Sequence, residues 1–370
     1  MGPVNVVRED PQQPGLLFAG TERTIYFSVD DGDHWQSLRQ NLPPSSMRDL
    51  VIHEDDLVVG THGRSIWVLD NIAPLRELAQ AVSAGEPHLF SPPIATRVRW
   101  NMFSDTPLPP EEPTGQNPPD GAILDYYLPA SATDVKLEII SADGEVLRRY
   151  SSSDSPEVVD PETLPHPTYW IRPSPSLGTS AGHHRFVWDL RREPPRGARR
   201  QFSIAAVLER TPSGPHGPWI PPGTYAVRLT TDGQTIEKTV EVRLDPRVEI
   251  TPESLQLQTD LSLRCYNGYL EAQEIREALD TELATAVNER QKLLEALRGT
   301  GAPGEPDVLY DYIQAAPAGE ETLVDLQYKF LWVMYVLQGA DARPTTQSRE
   351  AVTALEHSLG DLVLRWEKLK

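Results

Sequence analysis

Scarcity is the first information in this sequence. A single cysteine, Cys265, stands among 370 residues, so no internal disulfide can form. With no Cys or His neighbour at metal-ligand spacing it cannot anchor a structural zinc site either. Its expected role is that of a small buried residue on a helix. Positive charge is also short: 34 Lys and Arg face 54 Asp and Glu, a formal net charge of −20. A surface of that sign opposes nucleic acid and anionic lipid and favours solubility or cation binding. No apolar run nears the roughly 20 residues that span a bilayer, the longest being Phe330 to Leu337. Neither a nucleic acid nor a membrane is expected as partner. Residues Met1 to Asn5 offer no basic n-region and no long apolar stretch, which predicts no export signal and leaves the location open. A G-x-S-x-G elbow is missing, and the Ser151 to Ser153 run has no nearby histidine, which argues against a Ser-His-Asp enzyme on an α/β scaffold.

Proline is plentiful, with 35 residues, and its distribution divides the chain. The stretch from Pro107 to Pro119 can be neither helix nor central strand and reads as an extended linker. Before it, Gly15 to Phe27 and Leu50 to Leu69 have the texture of antiparallel meanders, and Leu75, Leu78, Ala79 and Val82 recur at helical spacing. After it, strands are expected at 122–128, 135–140, 146–150, 184–190, 225–229 and 235–244. Asp143-Gly144 and Asp232-Gly233 lie between pairs of these as hairpin turns. Tyr225, Val227 and Leu229 alternate with Ala226 and Arg228, as strands with one buried face do. From Thr251-Pro252-Glu253, an N-cap followed by a proline and an acid, the period changes to about 3.6. One apolar stripe runs from Leu270 to Leu297 and ends at Gly299-Thr300-Gly301; two further helices are expected near 320–337 and 346–369. The fold class is thus mainly β with an α-helical C-terminal region. Its expected divisions are 1–106 (meanders), 107–121 (linker), 122–250 (β-sandwich) and 251–370 (helical bundle).

One motif carries more. Ser28-Val29-Asp30-Asp31-Gly32-Asp33-His34-Trp35 fits S-x-D-x-G-x-x-W. Gly32 permits the positive φ of a tight turn, the short acids cap main-chain N–H groups, and Trp35 anchors the next strand. This resembles the Asp-box of the β-propellers in sialidases, sortilin-type receptors and xyloglucan-hydrolysing enzymes. The Leu57 to Asp70 segment, with Thr61-His62-Gly63-Arg64, resembles the closing blade of large bacterial BNR-repeat glycosyl-hydrolase-like proteins. The order of elements is similar too, through a Pro222-Gly223-Thr224-Tyr225 strand and a helical tail. The resemblance implies partial β-propeller blades over 1–106, an Ig-like β-sandwich over 122–250, and a bacterial, often exported, parent of which this chain is the C-terminal part. About two blades cannot close a ring of four to eight. Exposed blade edges therefore predict a homo-oligomer unless a helix or loop covers them.

Two classes of function follow. In the first, the chain is a non-catalytic scaffold or interaction region, with Ser28, Asp30, Gly32 and Trp35 structural. In the second it is a calcium-assisted hydrolase of a sugar, ester or lactone. Asp30, Asp31 and Asp33 offer calcium oxygen ligands; His62 and His53, with Glu54, Asp56 and Asp49 nearby in sequence, are the candidate general bases or metal ligands. The plain alternative for that cluster is a solvated turn. His183-His184 with Asp189 carries little weight for metal, since adjacent strand residues face opposite ways.

Overall fold

The structure is a computed structural model that describes residues 2–99, 115, 118–156, 158–164, 167–200, 214–301 and 320–369. Most of the expected proline linker lies outside the described residues. Sheets fill the first two thirds of the chain and helices the last third, the coarse arrangement that the change of hydrophobic period predicts.

Four antiparallel strands open the chain in sequence order: β1 (Val4–Glu9), β2 (Leu17–Thr21), β3 (Ile25–Ser28) and β4 (Gln36–Ser37). A three-stranded meander follows, β5 (Met47–His53), β6 (Asp56–Thr61) and β7 (Ile66–Leu69). The two sheets share one core that includes Phe18, Phe27, Met47, Leu50 and Leu57. Gly20 lets them approach: a Cβ there would lie 2.8 Å from the Val6 side chain and 3.1 Å from Met47 Cβ. Helix α1 (Ala73–Ala84), with proline in its first turn and Gly85 in the left-handed region after its end, closes this part. From it Arg76 reaches Asp10 at 3.0 Å on one sheet and Asp55 on the other, so a single guanidinium ties the two meanders together.

Two further sheets face each other across a second core. The first holds β8 (His88–Leu89), β10 (Ala122–Leu128) and β13 (Gly182–Trp188) in the order β13-β10-β8. The second holds β9 (Ala95–Arg97), β11 (Val135–Ile140), β12 (Val146–Ser151), β14 (Gly223–Thr231) and β15 (Gln234–Leu244) in the order β12-β11-β14-β15-β9. Leu124, Tyr126 and Trp188 from one sheet meet Leu137, Val227 and Val240 from the other. The Asp-Gly expectation is met at Asp232-Gly233: Thr231 pairs with Gln234, and both turn residues have positive φ, 45° and 86°, as a two-residue hairpin requires. Residues 88–97, expected among the meanders, instead lend one strand to each of these sheets. β8 pairs with β10, and β9 adds in parallel to β15. Short strands of two and three residues leave too little periodic signal to be placed from sequence.

Four helices share the third core: α2 (Pro252–Leu283), α3 (Asn288–Arg298), α4 (Leu323–Gln338) and α5 (Thr346–Glu367). Thr251 caps α2 by accepting from the Ser254 N–H at 3.2 Å. The stripe expected as one helix is broken between Leu283 and Asn288, where Asn288 takes a φ of 54°. Thr285 and Val287 are β-branched and weak helix formers, although the apolar spacing runs on through them. On α5 the buried residues are Val352, Leu355, Leu359, Leu362 and Trp366, the stripe read from sequence. Gly268 of α2 seats the Phe330 ring of α4, since a Cβ there would fall 2.5 Å from a ring carbon. Cys265 is buried among these helices, which pushes its thiol up to about 12.

Candidate functional site

The Asp-box residues form the turn between β3 and β4. Ser28 Oγ donates to Asp30 Oδ1 at 2.7 Å and accepts from the Gly32 N–H at 2.9 Å. Asp30 in turn accepts from the His34 N–H at 2.9 Å and faces His34 Nδ1 at 2.6 Å. The His34 main-chain N–H first, then Ser28 and the His34 ring, hold the Asp30 carboxyl down to about 2. Gly32 has a φ of 92°, and its missing Cβ would touch the Trp35 indole at 3.7 Å. Both Asp30 oxygens are thus engaged within the turn, while Asp31 and Asp33 are exposed. Among the described residues no three His, Cys, Asp or Glu side chains come together as ligands for a metal ion.

Of the candidate bases of the second meander, His53 shares a turn with Glu54 and Asp56, and His62 lies apart. His53 pairs with Asp56 across the β5–β6 turn, which holds Glu54 at a φ of 54°. His62 follows the far end of β6, roughly 20 Å away at about 3.3 Å per strand residue. Asp56 Oδ1 accepts from the Asn71 N–H at 3.0 Å, and Asp49 pairs with Arg8 at 2.7 Å. A hairpin places its turn and its open end at opposite ends, so His62 does not share the rim of Glu54 and Asp56, while His53, the alternative, lies beside them.

His183 and His184 diverge as adjacent strand residues should. His184 stacks on Tyr126 with centroids 5.0 Å apart, whereas His183 reaches Asp125 at 3.3 Å on the other face. Asp125 is almost wholly buried and also accepts from Arg185 Nε at 2.9 Å and from Asn71 at 2.8 Å. Burial alone would push its pKa up, but the hydrogen bonds from His183 and Arg185 and the Arg185 charge outweigh this and hold it below the ordinary carboxylate value. Arg185 also donates to the carbonyls of Asp70 and Asn71. This constellation joins the meanders to the two-sheet region.

A gathering of charge that sequence reasoning missed lies where the second sheet meets the helices. Trp219 sits at its centre. The Arg191 guanidinium lies 3.9 Å from the Trp219 ring centroid, with Arg99 at 5.5 Å and Arg97 at 5.9 Å. Arg97 and Arg99 converge on Asp341 at 2.6 and 2.7 Å, and the side chains of Arg97 and Asp341 are 2% and 1% exposed. Even so, among the described residues Asp341 Oδ2, Arg97 Nε and Arg99 Nε are buried without a hydrogen-bond partner. Gln338 of α4 accepts from the Trp219 N–H at 2.9 Å and binds this cluster to the helices.

Beside it opens a cavity of about 120 Å³ lined by Arg191, His216, Tyr335, Gln338, Leu331 and Met334 together with Pro215 and Gly339. Arg191 donates to the Gly217 carbonyl at 3.0 Å, and Arg200 to that of Pro215 at 2.9 Å. Desolvation first, then the charges of Arg191, Arg200, Arg172 and Arg148, push the His216 pKa well down, so the imidazole is neutral near pH 7. Asp189, which faces Arg148 and Arg191, is pushed up by desolvation despite them. The sequence signal available for all this was the Arg191-Arg192 pair and an isolated Trp219 between prolines in an acidic chain. Compared with known proteins, the chain matches no family model and no curated relative.

Proposed function

We propose that the chain is a non-catalytic scaffold or interaction region of the BNR/Asp-box propeller type, in which the meanders act as blades and the two facing sheets as an Ig-like sandwich. One observation carries the reading: two buried ionic networks among the described residues lie at the boundaries between parts and hold them together. The Asp125 network fastens the sandwich to the meanders, and the Asp341 network fastens it to the helices. A four-stranded meander with an Asp-box turn between its last two strands supports the blade assignment. So does the outer face of the second meander, where Val51, Val58 and Val68 are cross-strand neighbours and Ile66 is 72% exposed. A face of that kind, beside the open edge of β7, is suited to a second copy of the chain.

The test is a hydrolysis screen of the purified chain over aryl glycosides, short-chain aryl esters and acyl lactones, with calcium and with chelator. No turnover is expected. Turnover lost in a His62→Ala or His53→Ala variant would overturn the scaffold reading in favour of a hydrolase. Light scattering over a range of concentrations is expected to show a dimer that Ile66→Lys with Val68→Lys reduces to a monomer.

A further inference from the structure

The two meanders are built to one plan, and the second stops a strand early. Across β2 and β3, Phe18 faces Phe27, Ala19 faces Tyr26 and Gly20 faces Ile25; across β6 and β7, Val58 faces Val68, Val59 faces Trp67 and Gly60 faces Ile66. The threonine after each glycine closes its turn in the same way. Thr21 Oγ1 donates to the Thr24 carbonyl at 2.8 Å, and Thr61 Oγ1 to the Ser65 carbonyl at 2.5 Å. In the first meander β4 then lies on β3, with Ser37 opposite Tyr26 and Gln36 opposite Phe27. The matching place beside Trp67 and Val68 holds no strand among the described residues. Within those residues the main chain of β7 bonds to β6 and to no other segment. An open edge of that kind offers N–H and C=O groups to a further strand.

The residues along the edge indicate which strand. From Arg64 to Asp70 the chain reads Arg-Ser-Ile-Trp-Val-Leu-Asp, with a base at one end, an acid at the other and apolar residues between. Turned end for end and laid against itself, this segment brings Arg64 opposite Asp70 at both ends. The same register centres on Trp67 and sets Ile66 opposite Val68. Residues opposite one another in an antiparallel pair share a face, so Ile66 and Val68, 72% and 50% exposed, cover each other. Arg64 is exposed and, among the described residues, has no ion-pair partner. The Asp70 carboxyl is pushed up by desolvation first and then by Asp56, against the pull of Arg185. Arg185 directs its N–H groups to Asp125 and to the main-chain carbonyls of Asp70 and Asn71, so a second cation at the Asp70 carboxylate adds to it without displacing it.

We propose that two copies of the chain join by antiparallel pairing of β7 with β7, Arg64 of each copy facing Asp70 of the other, so that the two three-stranded meanders become one sheet. A twofold axis passes through the Trp67 pair, and such a contact closes at two copies. The inference rests on the second-copy reading given above and supplies its edge, its register and its charge pair.

The experiment is light scattering of the full chain over a range of concentrations, where a dimer is expected for the wild type. Arg64→Asp and Asp70→Arg each set like charges opposite one another, and each alone is expected to weaken the dimer about tenfold or more. Mixing the two variants is expected to restore it as a heterodimer, an outcome that misfolding of either variant cannot produce. Cross-linking checks the register without touching a charge. Ile66→Cys and Val68→Cys chains, mixed and oxidised with copper phenanthroline, are expected to form a disulfide-linked pair that neither forms alone, and Cys265 is buried away from that reaction. A monomeric wild type would overturn the second-copy reading and the inference together. A dimer that Ile66→Lys with Val68→Lys breaks but neither charge reversal weakens, or cysteine variants that cross-link as well unmixed as mixed, would overturn the inference alone.

Discussion

The two polar junctions of the two-sheet region are built from the same residue types and differ in how completely they are satisfied. At the meander side both oxygens of Asp125 have partners, from Asn71, His183 and Arg185, and the guanidinium of Arg185 is closed by two main-chain carbonyls. At the helix side, among the described residues, Asp341 has one oxygen shared by two arginines and one without a partner, and two arginine Nε atoms are likewise unmatched. A saturated network acts as a fastener, because every donor and acceptor is worth more in place than out of it. An unsaturated one retains polar capacity for something else. The contrast is one of completeness: a fully satisfied junction against one that keeps buried, unmatched polar atoms among the described residues.

The comparison breaks most sharply at Asp125. Asp125→Ala leaves Arg185 without its carboxylate at a buried junction, and a loss of about 3–5 kcal/mol is expected in urea denaturation. The same carboxyl gives a pH signature. Its folded-state pKa is depressed, so its contribution is present above the ordinary carboxylate value near 3.9 and is lost as pH falls through the folded value. The stability difference between the wild type and Asp125→Asn is therefore expected to be full at pH 6 and to shrink below about pH 4. At the helix side Asp341→Asn should cost less, about 1–3 kcal/mol, because one of its oxygens already lacks a partner. A loss at Asp341 larger than that at Asp125 would reverse the ranking of the two junctions. Outside both, Thr251→Ala removes the α2 cap and is expected to cost about 1 kcal/mol, readable as a lower urea midpoint. The smallest effect is expected from chelator: Asp30 is spent on Ser28 and His34, so EDTA should leave the melting temperature unchanged. A clear fall in melting temperature, restored by calcium, would return Asp30, Asp31 and Asp33 to the role of metal ligands.

What could be read from the sequence follows the range of the forces involved. Local chemistry was legible: Asp232-Gly233 makes its hairpin, Thr251 caps its helix, and Val352 to Trp366 line one face of α5. The break in the long helix was not, because Leu283 and Leu294 stay in phase with one apolar stripe while Asn288 turns the main chain. Still less legible were the junctions. Asn71, Asp125 and Arg185 come from three separate stretches, as do Arg97, Trp219 and Asp341, and each reads alone as an ordinary surface residue. Of the alternatives drawn from sequence proximity, His53 lies opposite Asp56 across the β5–β6 turn, whereas His62 is carried to the far end of β6, because nearness in sequence along a strand means distance in space.

β8 and β9 carry a consequence for descent. These strands leave the meander side of the chain and are hydrogen-bonded into both sheets of the sandwich, and Arg97, the last residue of β9, belongs to the Asp341 network. A recombination event that cut the gene between residues 99 and 122 would deliver the two facing sheets with an uncovered β15 edge and an Asp341 parted from Arg97 and Arg99. The meanders and the two facing sheets look like separable modules along the sequence, yet strand lending makes them a single unit of inheritance, and relatives are expected to keep or lose them together.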